Sequence, residues 1–369
     1  MTRRAWIIVN LAALAAIIVG GVGCGVGAGI SVDGFYRAWL CTYLFWLGVP
    51  LAGVTLVLVH DLSGGEWMWT ARPFLVAAIA TMPIATLAAI PAFIGLHSLY
   101  SWTHPAPSLG NTFYLNPAAF WLRYAIDVVL WNLLAAFALW APRGEGTPIV
   151  SGLSWLSGIG LVILAFSAGF ASIDWIESLE PAFWSSIFSY AIGAGWFNTG
   201  LALVLLLVAM IGWPSEPRRE HMADIAAILL ATTIFWAYAE FMQFLIIWEE
   251  NLKSEIAWYV TRLVPVWKPA IYVSAACGFV IPFLVLLWAP GKRSRAAVAI
   301  VCGLILISRI ADKWWLVLPE FRKGAGPFWL DAAAIVALGG LMVLLFAWAM
   351  RYAHRLARRA VPVLETQHG

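Results

Sequence analysis

Ten apolar runs dictate what this chain can fold into. A helix that crosses a bilayer needs roughly 20 mostly apolar residues. Stretches of that kind occupy residues 5–23, 36–59, 73–96, 117–141, 152–172, 183–211, 222–248, 269–290, 295–318 and 328–351. Turn and charge signals fill the breaks: Asp61-Leu-Ser-Gly-Gly65, Pro142-Arg-Gly-Glu-Gly146, Pro214-Ser-Glu-Pro-Arg-Arg219 and Pro290-Gly-Lys-Arg293. In hydrocarbon every backbone N–H and C=O must find its partner within the chain, so these runs read as helices. The expected fold is all-α and polytopic, with about ten transmembrane helices.

Composition removes the competing classes. Of 369 residues, 63% are hydrophobic and 11% charged, against about 25% charged in an ordinary soluble domain. A soluble enzyme and a disordered chain are both excluded. The net charge of +3 is too small and scattered for a nucleic-acid footprint. Cys24, Cys41, Cys277 and Cys302 lie in apolar stretches without a CxxC, which argues against zinc-ribbon, iron–sulfur or covalent haem ligation.

Tryptophan gives an independent reading of the spans, because its ring prefers the headgroup zone. All but four of the 23 tryptophans fall near a span end; the exceptions are Trp46, Trp131, Trp196 and Trp236. Thirteen of the 22 basic residues gather on one side: Arg3, Arg4, Arg72, Arg143, Arg218, Arg219, Lys292, Arg293, Arg295, Arg351, Arg355, Arg358 and Arg359. The positive-inside bias places that side, with both termini, in the cytoplasm of a bacterial inner membrane. Residues 1–23 also have the layout of a signal peptide, but nine further spans favour a retained first helix.

The spans carry a repeat. Ser172-Ile-Asp174 to Pro181 and Ile310-Ala-Asp312 to Pro319 share an Asp seven residues before a Pro, 138 residues apart. Leu139-Trp-Ala-Pro142 and Leu287-Trp-Ala-Pro290 match at a separation of 148, and both spans begin just after a proline, Pro117 and Pro269. The expected organisation is a peripheral first helix (1–35), a four-helix bundle of spans two to five (36–182), a second of spans six to nine (183–327), and a last helix with a basic tail (328–369). An even number of helices per unit makes the repeat parallel.

Ionisable groups inside hydrocarbon are costly, so each calls for an account. Two carboxylates read as well inside spans. Asp127 lies four residues from Arg123 on one helix face, as an ion pair or a polar lining. Glu240 shares a face with Thr233 and Gln243, and Gln243 is placed to hydrogen-bond a neutral Glu240. Asp127, Glu240, Gln243, Thr233 and Tyr238 are the proton-path candidates. At the outer ends of the first bundle, His97, Arg123 and Asp174 gather as quinone-contact candidates, a base beside aromatics for a hydroxyl proton. No histidine lies mid-span; His60 and His221 share the cytoplasmic side as the one shallow pair, and bound haem is not expected. The glycine-rich run from Gly20 to Gly27 has no preceding strand and no GK[ST], so it reads as close helix packing, not a nucleotide loop. No catalytic constellation and no metal site is expected.

Several passages resemble one family. Val59-His60-Asp-Leu-Ser-Gly-Gly65-Glu-Trp67, with Arg72 after it, Tyr114-Leu-Asn116 with Phe120-Trp-Leu-Arg123, Ile173-Asp-Trp-Ile-Glu-Ser-Leu-Glu-Pro181-Ala-Phe-Trp-Ser185-Ser-Ile187, and Phe235-Trp-Ala-Tyr238-Ala-Glu-Phe-Met-Gln243-Phe-Leu-Ile-Ile-Trp248 look like stretches of the F-type (ActF-type) membrane subunit of alternative complex III. That family is a distant relative of NrfD-like, polysulfide-reductase-type membrane subunits. The resemblance runs from about residue 50 to about 320, and its most specific passage is 173–187. It departs at Ser185-Ser186, where the family has serine-threonine, and at Met242, where the family has serine, with Glu240 adding a carboxylate nearby.

The resemblance implies ten helices in two four-helix bundles. It also implies membership of a quinol-oxidising complex that passes electrons to cytochrome c or an oxidase. The implied partners are an NrfD-like quinol-binding sister subunit, an iron–sulfur subunit and c-type cytochrome subunits. The chain itself would hold no covalent cofactor, meet quinol only as a lipid-phase substrate, and serve as a non-redox subunit with proton conduction through its buried polar groups. The alternatives are a secondary transporter and an NrfD-type quinol-binding anchor of a molybdopterin-type reductase.

Overall fold

The structure, a computed structural model, describes residues 3–104, 111–140, 154–211, 216–324, 326 and 328–359. Among them every regular element is helical, with no strand. The α-helices are α1 (Arg3–Ile30), α2 (Val32–Ser63), α3 (Trp67–Ile79), α4 (Met82–Leu87), α5 (Ile90–Ile94), α6 (Leu96–Leu99), α7 (Pro117–Trp140), α8 (Ser154–Trp175), α9 (Phe188–Ile211), α10 (Glu216–Glu250), α11 (Lys253–Arg262), α12 (Lys268–Ala275), α13 (Ile281–Leu287), α14 (Ala289–Arg293), α15 (Arg295–Phe321) and α16 (Trp329–Arg359). The breaks expected at 142–146 and 214–215, Arg143, and the tail beyond residue 359 lie outside the described residues.

Nine segments among the described residues are long and apolar enough to cross a membrane. The protein is a polytopic helical membrane protein. The tenth expected span is present as the 27-residue helix α15, but Arg309, Asp312 and Lys313 give it too much charge to stand among the nine. It is held instead by packing against α9, α2 and α12.

Two spans are less regular than the sequence suggests. The run expected as one helix over 73–96 bends through α3, α4, α5 and α6, because Pro83 and Pro91 each lack a backbone donor. Thr81 and Thr86 hydroxyls donate to the carbonyls of Ala78 (2.7 Å) and Met82 (3.0 Å) inside the bends. Between α12 and α13 the chain widens into a π turn, Ala276–Val280, one residue before Ile281-Pro282.

Helix α2 packs on α3 and α8, and α7 packs on α8; likewise α9 packs on α10 and α15, and α12 packs on α15. The two sets meet where α2 crosses α9. A Cβ on Gly48 would lie 2.7 Å from the Trp196 carbonyl oxygen, and one on Gly200 would lie 2.7 Å from that of Gly48. Only glycine permits that approach.

Helix α1 runs antiparallel along α16. Gly20 faces the backbone of Ala333 and Ala337, Gly27 faces Leu330, and at the far end Trp348 Nε1 donates to Asn10 Oδ1 at 2.8 Å. The glycine-rich run is a packing face, and α1 and α16 bring residues 3 and 359 toward the same end of the molecule. Large apolar side chains such as Ile18, Val19, Leu122, Phe166 and Ile300 stand exposed around the perimeter, as lipid contact requires.

The tryptophans away from span ends are interior anchors. Trp131 donates to Ser167 Oγ (2.8 Å) and Trp196 to the Leu44 carbonyl (2.7 Å). Trp46 packs against Gly339, and Trp236 lies under a guanidinium.

Candidate functional site: two buried ionic clusters and an apolar cleft

The first cluster closes the end of the molecule where α7 begins and α8 stops. Asp174, the next-to-last residue of α8, is buried, and Arg123 from the second turn of α7 meets it with both arms, Nε to Oδ2 at 2.7 Å and Nη2 to Oδ1 at 2.9 Å. This is a bidentate, charge-assisted pair. The remaining arm donates to the Tyr114 carbonyl at 3.1 Å, and the guanidinium carbon lies 3.9 Å above the Tyr114 ring. Burial, with Asp174 close by, raises the Tyr114 phenol well above its ordinary value, so it stays protonated. Ser178 Oγ donates to the Asp174 carbonyl at 2.6 Å, which caps the helix where it unwinds.

Asp127 is buried one turn along α7 from Arg123, but the pair that the four-residue spacing suggests is not made. Arg123 is turned to Asp174, and Asp127 Oδ2 has no hydrogen-bond partner among the described residues. His97 stands apart from the pair: it is exposed, its carbonyl lies 3.1 Å from His104 Nε2, and the two rings are 6.0 Å apart. Of the three quinone-contact candidates, the structure joins Arg123 and Asp174. On the opposite side, both ring nitrogens of His221 have protein neighbours, Thr70 Oγ1 at 2.9 Å and Glu66 at 3.6 Å.

The second cluster lies deep in the molecule. Arg309 is about 21 Å along α15 at 1.5 Å per residue, close to the middle of the helix. Arg309, Asp312 and Lys313 share one face and are all buried. Lys313 Nζ is 3.0 Å from Asp312 Oδ2. The Arg309 guanidinium stacks 3.6 Å over Trp236, and its Nη2 donates to Ser308 Oγ at 2.9 Å. Glu240, on α10 one turn from Trp236, lies within electrostatic range of Asp312, Arg309 and Lys313.

The expected Glu240–Gln243 bond is absent: Gln243 Nε2 instead donates to Tyr259 at 3.4 Å. Thr233 pairs with Asn198, 3.4–3.5 Å away on α9. Tyr238 is 54% exposed, on the perimeter of α10 away from these groups. Sequence reading missed Arg309 and Lys313, and used Asp312 only as a repeat marker. The available signal was their spacing: 308, 309, 312 and 313 form one stripe, while the other residues from 296 to 319 are apolar or glycine.

Arg262 links α11 to the end of α15. It is fully buried, stacks 3.1 Å from the centre of the Trp258 ring, and donates to the Leu316 carbonyl from Nη2 (2.9 Å) and Nε (3.3 Å). Pro319 leaves the Trp315 carbonyl, four residues before it, without its helical donor, and Arg262 bonds the next carbonyl along, that of Leu316. Burial pulls the Arg262 pKa down to about 9, and Glu320, 3.7 Å away, opposes the shift; guanidinium stays charged at neutral pH.

Between the two helix sets lies an apolar cleft of about 720 Å³, formed by α2, α8, α9 and α10. Leu51, Leu164, Phe166 and Phe197 line its body, and Ser186, Ser189 and Tyr190 supply hydroxyls. Ser189 Oγ accepts from Ser172 Oγ at 2.9 Å. His97, Arg123 and Asp174 do not line it, though Ile173 does. No family model matches this chain, and no curated protein matches it. What fold and sites define is the class: a helical membrane protein with ionic groups sealed in its interior and an apolar cleft in its side.

Proposed function

We propose that the chain is an integral membrane subunit of a quinol-oxidising respiratory complex of the alternative complex III type. It would be set in the bacterial inner membrane with both termini cytoplasmic, beside an NrfD-like sister subunit, an iron–sulfur subunit and c-type cytochromes. One observation carries the reading. The cleft is lined by Ile173, Ser186, Ser189 and Tyr190, so the passage with the most specific resemblance, 173–187, borders an apolar slot of the size and chemistry that a prenyl tail needs. The chain's own part is to scaffold that slot and to hold the carboxyls Asp127 and Glu240, with Gln243 and Thr233, as stations for protons. The two four-helix units of the sequence repeat are part of the same proposal.

The test is purification from native membranes in mild detergent through a tag on this chain. The expected result is co-elution of c-type haem absorbance and iron–sulfur signals. A chain that isolates without either overturns the reading. The secondary-transporter alternative gains one observation, the three charged groups of α15 buried near Glu240 of α10, and would isolate alone.

A further inference from the structure

Arg309 is fully buried, yet its Nε and Nη1 have no hydrogen-bond acceptor among the described residues. Buried donors of a charged group are the costliest to leave unmade. Both Arg309 Nη1 and Lys313 Nζ converge on the same point of α9: a Cβ built on Gly195 would lie 3.5 Å from the first and 3.7 Å from the second. The glycine thus sets no side chain between the two cations, and the Trp236 ring lies 3.9 Å from the same point. From the other side the guanidinium lies against Gly278 of the π turn, where a Cβ would come within 2.6 Å of Nη2.

The charges balance in one of two ways. Arg309 and Lys313 contribute two positive charges and Asp312 one negative. The titratable or charged groups facing Glu240 among the described residues are Arg309, Asp312 and Lys313 from α15 and Tyr259 from α11. Helix α9 adds only the uncharged Asn198, through Thr233. With Glu240 ionised the cluster is neutral. Glu240 is within electrostatic range of both cations but no ion pair joins it to either among the described residues. With Glu240 protonated one positive charge is left over, and an uncompensated charge at this depth is strongly unfavourable.

We propose that Arg309 Nε and Nη1 and Lys313 Nζ, over Gly195, form a site for one small monovalent anion, halide-sized, taken up together with one proton on Glu240. Binding moves no net charge into the membrane interior. The site does not rest on the quinol-complex reading, and its test leaves co-purification untouched.

The test is calorimetric titration of bromide into the full chain, in whatever complex it purifies with, at constant ionic strength and in two buffers of different protonation enthalpy. The expected result is one bromide per chain with uptake of one proton, and a Kd that weakens as pH rises. Glu240→Gln keeps bromide binding and loses both the proton uptake and the pH dependence. Gly195→Ala makes only ordinary contacts and retains every charge, but puts a methyl 3.5 Å from Arg309 Nη1 and 3.7 Å from Lys313 Nζ and weakens bromide at least tenfold. Absence of binding in the native chain, proton uptake that persists in the Gln variant, or an unchanged Kd in the Ala variant overturns the proposal.

Discussion

At the end of α8, Asp174 receives both arms of an arginine from a neighbouring helix, and the helix stops one residue later. At the matching place 138 residues on, Asp312 lies against the lysine beside it, and α15 runs on to Phe321. The same aspartate in the same sequence pattern is a staple in one half and a counter-charge in the other. The prolines follow suit. Pro181 lies beyond a chain already unwound through the 3-10 turn Glu177–Leu179, whereas Pro319 sits inside α15, where Arg262 donates to the nearby Leu316 carbonyl. An isolated pair can be exchanged for apolar groups; removing one member of a cluster of four charges leaves a net charge that something else must balance.

The comparison can be broken in several places. The largest effect is expected at the staple. Asp174→Asn leaves Arg123 without a counter-charge and is expected to cost about 3–5 kcal/mol. The double variant Arg123→Met with Asp174→Leu recovers most of it; thermal unfolding in detergent of both variants decides, and a double variant no better than the single one removes the distinction drawn above. Next is Arg262→Gln, which uncovers the Leu316 carbonyl at an expected cost of about 1–3 kcal/mol and frays α15 beyond Pro319, visible as faster hydrogen exchange at 316–321. Trp131→Phe loses one buried bond to Ser167 and is expected to cost about 1 kcal/mol, read from the same melts. Smallest is Tyr238→Phe, on the perimeter, expected to stay within about 0.5 kcal/mol; a larger loss would place that hydroxyl inside the polar network.

The helices were legible because hydrocarbon allows no other answer for long apolar runs, and the glycine run read as a packing face for the same reason. Tertiary pairing was harder to see. Arg123 and Asp127 are four apart on one helix, but only the fold shows that Asp174 offers Arg123 a better-aligned pair of oxygens across helices. Gln243 is near Glu240 in sequence, but Tyr259 claims it from α11. Arg309 and Lys313 escaped because only carboxylates were weighed inside the spans; the partner of the Leu316 carbonyl, Arg262, comes from 54 positions earlier in the chain.

The long-range clasp of α1 on α16 has a consequence for biogenesis. The first helix leaves the ribosome some 300 residues before its partner, so its glycine face must wait against lipid until the last helix arrives. A chain cut short anywhere before Trp329 displays that unpaired surface, a mark by which membrane quality control can tell unfinished copies from finished ones.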